Sequence, residues 1–167
     1  ISEKDRIGIG GNSYGAFLAV NLLANTDLFS AGIARSGAYN RTLTPFGFQN
    51  EERFFWQVPD VYLQMSPIFR VRNIQEPLLL FHGRKDDNSG TFPMQSERLF
   101  QALRGMGGTA RLVLFPHEGH TFRAEMELWL DLYVQKDTYN RRQRNWPQDD
   151  FPAVGEVWHI EEEGVKP

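Results

Sequence analysis

Cysteine is absent from the 167-residue chain. Disulfide scaffolds, thiolate nucleophiles and cysteine-ligated zinc are excluded at once, while reducing and oxidising compartments both remain open. An excess of positive charge is missing too: 18 Lys and Arg stand against 21 Asp and Glu, a net charge of −3. That balance carries no electrostatic footprint for nucleic acid. No apolar run approaches the roughly 18 residues of a membrane-spanning helix, so no membrane partner is expected. The opening Ile-Ser-Glu-Lys-Asp predicts no secretory signal. Internal repeats and low-complexity tracts are also lacking. With 41% hydrophobic and 23% charged residues, the composition is that of a soluble globular protein, long enough for one domain with its own core.

What the chain does have is a motif near its start. Gly11, Ser13 and Gly15 fit Gly-x-Ser-x-Gly, the strand-to-helix turn called a nucleophile elbow. Residues 6–9 read as a short buried strand broken by Gly10 and Gly11, and residues 14–23 as a buried helix. Such a turn strains its central residue, and glycines two before and two after remove the side chains that would clash. The serine oxygen is then held at the strand's carboxyl end, beside a helix N-terminus that favours negative charge. The bland alternative is a Gly-rich turn with an incidental serine, and only the rest of the chain separates the two.

Three further apolar runs predict strands over residues 29–34, 78–81 and 111–115. Between and after them, spacing predicts helices over 61–69, ending around Ser66-Pro67, over 92–103 and over 122–134. Residues 42–59 form a long connection rich in aromatics (Phe46, Phe48, Phe54, Phe55, Trp56), read mainly as a satellite cluster under a loop. From Lys136 on, runs of Arg, Asp and Glu read as a solvated, extended tail over 136–167. Strands alternating with helices predict a mainly parallel α/β sheet. Sites on such sheets lie outside the carboxyl ends of the strands.

A serine hydroxyl needs a base, and the base needs an orienting acid. Four histidines are available: His82, His117, His120 and His159. His159 lies in the tail. His82 ends the third strand before Gly83, where a buried, backbone-bonded ring is the usual outcome. His117 and His120 share the loop after the fourth strand, and His120, preceded by Gly119, is the favoured base. Asp86 and Asp87 follow the third strand; Asp86 takes the orienting role and Asp87 the part of a turn former. The order Ser13, Asp86, His120 is that of an α/β-hydrolase. The backbone N–H of Tyr14 is the expected first oxyanion donor, while the second normally comes from a loop after an earlier strand.

These segments resemble the catalytic domain of the prolyl oligopeptidase family of serine peptidases. Gly11-Asn12-Ser13-Tyr14-Gly15, His82-Gly83-x-x-Asp86 and Gly119-His120 match its three catalytic segments. Residues 32–51, 88–91 and 116–118 are similar to its glutamyl endopeptidase branch, known from chloroplasts and bacteria. The resemblance implies a three-layer α/β-hydrolase fold of which residues 1–135 supply the second half, from the nucleophile strand onward. It implies as partners an N-terminal β-propeller, the first half of the hydrolase sheet, and a peptide or protein substrate. A tyrosine hydroxyl from that first half would be the second oxyanion donor. No metal or organic cofactor is implied.

The branch is named for cleavage after glutamate, and a carboxylate pocket calls for a forked guanidinium. Arg41 is the first candidate, in the loop where the family builds its specificity pocket; Arg35, at the strand end, is the second. The rival readings are an acyl-aminoacyl peptidase or esterase with the same triad, and an inactive fragment that docks onto the rest of the hydrolase. The residues themselves fix no location; the resemblance implies a soluble protein of a bacterium or the chloroplast stroma.

Overall fold

The computed structural model describes residues 7–121. Its order is β1 (Gly8–Asn12), α1 (Tyr14–Leu23), β2 (Ala31–Arg35), a 3-10 turn (Arg41–Leu43), α2 (Pro59–Gln64), a 3-10 segment (Pro67–Asn73), β3 (Leu78–Gly83), α3 (Pro93–Gly105) and β4 (Ala110–Phe115). The strands form one four-stranded sheet in the order β1-β2-β3-β4. Every neighbouring pair is parallel. All four strands therefore end at the same edge, and each strand-end loop opens there. The helix expected over 122–134 and the tail over 136–167 lie outside the described residues.

The first strand runs further than its composition predicts. Gly10 and Gly11 continue the ladder, opposite Ile33 and Ala34, because ladder hydrogen bonds need no side chain. What Gly11 provides is space: a Cβ there would lie 2.2 Å from the Gly15 carbonyl carbon and 2.8 Å from the Ala16 nitrogen. The second strand starts later than expected, at Ala31, after the Ser30 amide has bonded the Ile7 carbonyl at 2.8 Å. The third extends through His82 and Gly83. The helix expected over 61–69 is two pieces, since Pro67 has no N–H to continue the first. Pro59 and Pro93 instead open helices, in the first turn where no N–H is needed.

One hydrophobic layer holds the helices to the sheet. Ala16, Val20 and Leu23 of α1 and Leu99 and Leu103 of α3 pack in one cluster with Ala34 of β2 and Leu78 and Leu80 of β3. Each is at most 2% exposed. Burial of each leucine contributes about 1.5–3 kcal/mol. The cluster sits on one sheet face, so the described residues make two layers. On the other face Ile33 is 46% exposed, and Phe81 stacks on Phe115 at 5.9 Å. In the long connection, Phe48 and Phe55 meet buried Tyr62 edge-on, at 4.8 and 5.6 Å. That is the expected satellite cluster, although Phe46 and Trp56 stay exposed. Among the described residues, no helix is long and apolar enough to cross a membrane.

The close approach at Gly11 yields a stability test. Gly11→Ala should lower the unfolding free energy in urea by more than about 3 kcal/mol, because backbone rather than a movable side chain blocks the methyl. Gly8→Ala should change it by less than about 1 kcal/mol, its Cβ having only the Ala31 carbonyl oxygen at 3.9 Å.

Candidate active site

Ser13 occupies the turn between β1 and α1 with φ 57° and ψ −117°. A non-glycine residue there costs on the order of 1–3 kcal/mol and must be held by its surroundings. The holders are visible: the Ser13 amide donates to the Arg35 carbonyl at 2.8 Å, and the Ser13 carbonyl accepts from Ala16 and Phe17 at 3.1 and 3.2 Å. Tyr14 is the first residue of α1. Its amide belongs to the helix end whose N–H groups have no partner inside the helix and carry the positive end of the dipole.

His120, the expected base, comes from the loop after β4, at the far edge of the sheet. His120 Nε2 lies 2.8 Å from Ser13 Oγ, and Nδ1 lies 3.0 Å from Asp86 Oδ2. Gly83 makes the approach possible, since a Cβ there would meet the Glu118 carbonyl oxygen at 2.2 Å. The Arg84 amide donates to the Phe115 carbonyl at 2.8 Å and the Lys85 amide to the Glu118 carbonyl at 2.9 Å, tying the loops after β3 and β4 together. Asp86 is 4% exposed, while Asp87 is exposed. The amide of Asn88 donates to Asp86 Oδ1 at 3.0 Å, and the Thr91 hydroxyl lies 3.4 Å from the same oxygen.

His82 is fully buried. Its Nε2 lies 2.6 Å from the Thr91 carbonyl oxygen and 3.0 Å from Asp86 Oδ2. A carbonyl only accepts, so Nε2 carries the hydrogen. Nδ1 lies 2.7 Å from the Ser96 hydroxyl, and in the neutral ring it accepts. Burial pushes the His82 pKa below its ordinary value, only partly opposed by the Thr91 carbonyl and Asp86.

The two arginine candidates part company. Arg35 is exposed at the end of β2, and its carbonyl, not its guanidinium, serves the elbow. Arg41 is 3% exposed, with its guanidinium 4.9 Å from the ring centroids of both Phe17 and Phe48. Its Nε has no hydrogen-bond partner. Burial lowers its pKa from the ordinary value, and nearby Tyr14 opposes that. Beside it runs a groove of about 460 Å³ walled by Tyr14, Phe48, Glu51, Val61 and Met65. Arg41 underlies this wall through Phe48 rather than lining it. Glu51 faces the groove as an anion, its pKa held down at about 2 chiefly by the Arg53 fork, at 2.8 and 2.7 Å.

Several positioning residues escape a reading of apolar spacing. Gln95, 1% exposed, accepts from the amides of Tyr39 and Asn40 at 3.0 and 2.9 Å. Its amide group donates to the carbonyls of Asn40 and Gly90 at 3.0 and 2.9 Å. It thus ties the Arg41 loop to the Asp86 loop. Ser66 does similar work, accepting from the Arg41 amide at 2.8 Å. Polar side chains on core-facing positions of a helix were the available signal for Gln95 and Ser96.

Taken chemically, the arrangement can deprotonate a serine hydroxyl, stabilise the resulting imidazolium and present a helix-end amide to a developing oxyanion. That is the constellation of a serine hydrolase on a parallel α/β sheet. Residues 1–145 match the prolyl oligopeptidase family. The chain belongs to that family of serine peptidases, whose catalytic domains have the α/β-hydrolase fold. It is similar to a probable chloroplastic glutamyl endopeptidase of Arabidopsis thaliana, 49% identical over 148 residues, 83% of this chain and 15% of that protein. A rice protein of the same description is 50% identical over 143 residues, 80% of this chain and 15% of its own length. Among solved structures, the acylaminoacyl peptidase of Pyrococcus horikoshii is similar with TM-score 0.64 and 27% identity, over 74% of this chain and 21% of that one. The chain thus spans about 15% of the length of the two plant relatives.

The depressed His82 titration has a consequence for stability. The folded state keeps His82 neutral, whereas the unfolded chain protonates it near the ordinary value of about 6.5. Its contribution is therefore complete above that pH and is lost as pH falls below it, by at most about 1.4 kcal/mol per pH unit. Urea midpoints of wild type should fall between pH 7 and pH 5, and His82→Gln, which cannot titrate, should show a shallower slope. Equal slopes would contradict it.

Proposed function

We propose that this chain carries the catalytic centre of a serine endopeptidase that cleaves after glutamate. The observation that carries the reading is the contact of 2.8 Å between Ser13 Oγ and His120 Nε2, with Asp86 3.0 Å behind the ring. His120 takes the Ser13 proton as Oγ attacks the scissile carbonyl. Asp86 keeps the Nδ1–H tautomer in place and offsets the positive charge that forms on the ring. The Tyr14 N–H donates to the tetrahedral oxyanion. His120 then delivers its proton to the leaving amine, and the acyl-enzyme forms. Water, deprotonated by the same ring, releases the acid product. The second oxyanion donor is assigned to the part of the polypeptide beyond this chain, as is any propeller.

Arg41 is our reader of the glutamate side chain. Its guanidinium sits 4.9 Å from the ring centroids of Phe17 and Phe48, and a guanidinium fork is the group that pairs with a carboxylate through two parallel bonds. A buried cation without a counter-ion is costly, and among the described residues no carboxylate pairs with Arg41. A substrate carboxylate supplies what is missing. The names of the two plant relatives favour the same specificity and a chloroplast location. The second reading is release of acylated N-terminal residues, favoured by the Pyrococcus structure.

In the full polypeptide, Arg41→Ala should lower kcat/KM on a glutamyl peptide by about 10–100-fold, the worth of a charge-assisted pair. Hydrolysis of an uncharged ester should change only a few-fold. Equal losses on both substrates would overturn the role of Arg41, and faster turnover of acetylated alanyl peptides than of internal glutamyl bonds would favour the second reading.

A further inference from the structure

The carboxylate of Asp86 serves two histidines, and the reaction proposed above uses only one. Oδ2 stands 3.0 Å from His120 Nδ1 and 3.0 Å from His82 Nε2. Oδ1 takes the Asn88 amide at 3.0 Å, with the Thr91 hydroxyl at 3.4 Å. His82 is in turn locked from both ends. The Thr91 carbonyl fixes the hydrogen on Nε2, and the Ser96 hydroxyl fills Nδ1. Its ring is wholly removed from solvent. A ring that merely filled the core would need one polar contact per nitrogen, and the Thr91 carbonyl and the Ser96 hydroxyl already supply those. The extra contact is to the carboxylate oxygen behind the base.

We propose that His82 is a positioning residue of the catalytic centre, a fixed, uncharged N–H donor that shares Asp86 Oδ2 with His120 and thereby limits the basicity of the His120 ring. The inference rests on the Ser13–His120–Asp86 reading above. A carboxylate oxygen shared between two donors presents less negative potential to each. Removing the His82 donor leaves the whole charge of Oδ2 to the His120 Nδ1–H, so the ring holds a proton more tightly and is lost as a base at higher pH. The other groups facing this cluster stay fixed across the comparison. Tyr39 lies beside Ser96 as a buried phenol. Glu118 is buried in the loop after β4, next to His117. Arg84, Lys85 and Asp87 are exposed on the loop after β3.

The test uses the full polypeptide, two amide variants, and a fluorophosphonate probe to count reactive serines before each measurement. The Nε2 of glutamine can replace the Nε2 donor of His82. The shorter asparagine can pair with Ser96 but does not reach Asp86. In His82→Asn the acid limb of the kcat/KM profile should move to higher pH by about half a unit, and in His82→Gln it should return to the wild-type position. A limb that stays put in His82→Asn, whatever the loss in kcat, overturns the inference, because a core-filling role would lower the number of labelled serines without moving the limb. Should His82→Asn not fold, His82→Leu poses the same comparison against His82→Gln. Failure of the probe to label Ser13 in the wild type would overturn the triad reading and this inference together, whereas normal labelling with an unmoved limb overturns this inference alone.

Discussion

The left-handed backbone of Ser13, φ 57°, is the constraint on which the site depends. No side chain stabilises that geometry. It persists because Gly11 lets the first turn of α1 close onto β1, and because the Ser13 amide is pinned to the Arg35 carbonyl. The helix behind it is secured by the core of Ala16, Val20 and Leu23. Packing on one sheet face thus holds a strained turn at the sheet's edge. In return, Oγ and the Tyr14 amide arrive together at a helix N-terminus.

The second requirement is that loops from three other strands meet at that edge. Parallel pairing brings them to the same side, but does not set their spacing to a few tenths of an ångström. Two kinds of residue do that. Gly83 lets the loop after β4 close over the end of β3. Gln95, Ser66 and Thr91 then tie the loops, and Ser96 ties α3 to His82 of β3, with buried or half-buried hydrogen bonds. Such bonds are costly to leave unmade, which makes the edge resistant to small shifts.

Much of this was legible in the sequence, for definite reasons. The parallel α/β fold follows from apolar runs of strand length alternating with helical spacing, and the elbow from two glycines around a serine. The sequence also put Ser13, Asp86 and His120 on separate strand-end loops, and the structure brings them within hydrogen-bond distance. Strand limits were less legible, because Gly10 and Gly11 can either break a strand or continue it, and only the partner strand decides. His82 was legible as a buried, backbone-bonded ring and Gln95 as a polar side chain on a core-facing helix position, but not which groups they tie together. Their partners lie on other elements, up to 56 residues away for Gln95, and apolar periodicity has nothing to say about a polar residue facing inward. Arg41 stood out as a candidate cation, but its two aromatic neighbours, from α1 and from the long connection, could not be read from the sequence.

In the proposed reaction Ser13 is the nucleophile and His120 its base. Mass spectrometry of the full polypeptide after reaction with a fluorophosphonate tests it most directly. One adduct per chain is expected on Ser13, none in Ser13→Ala, and labelling at least about 100-fold slower in His120→Ala. An adduct on another residue, or labelling of Ser13 at an unchanged rate without His120, would contradict it.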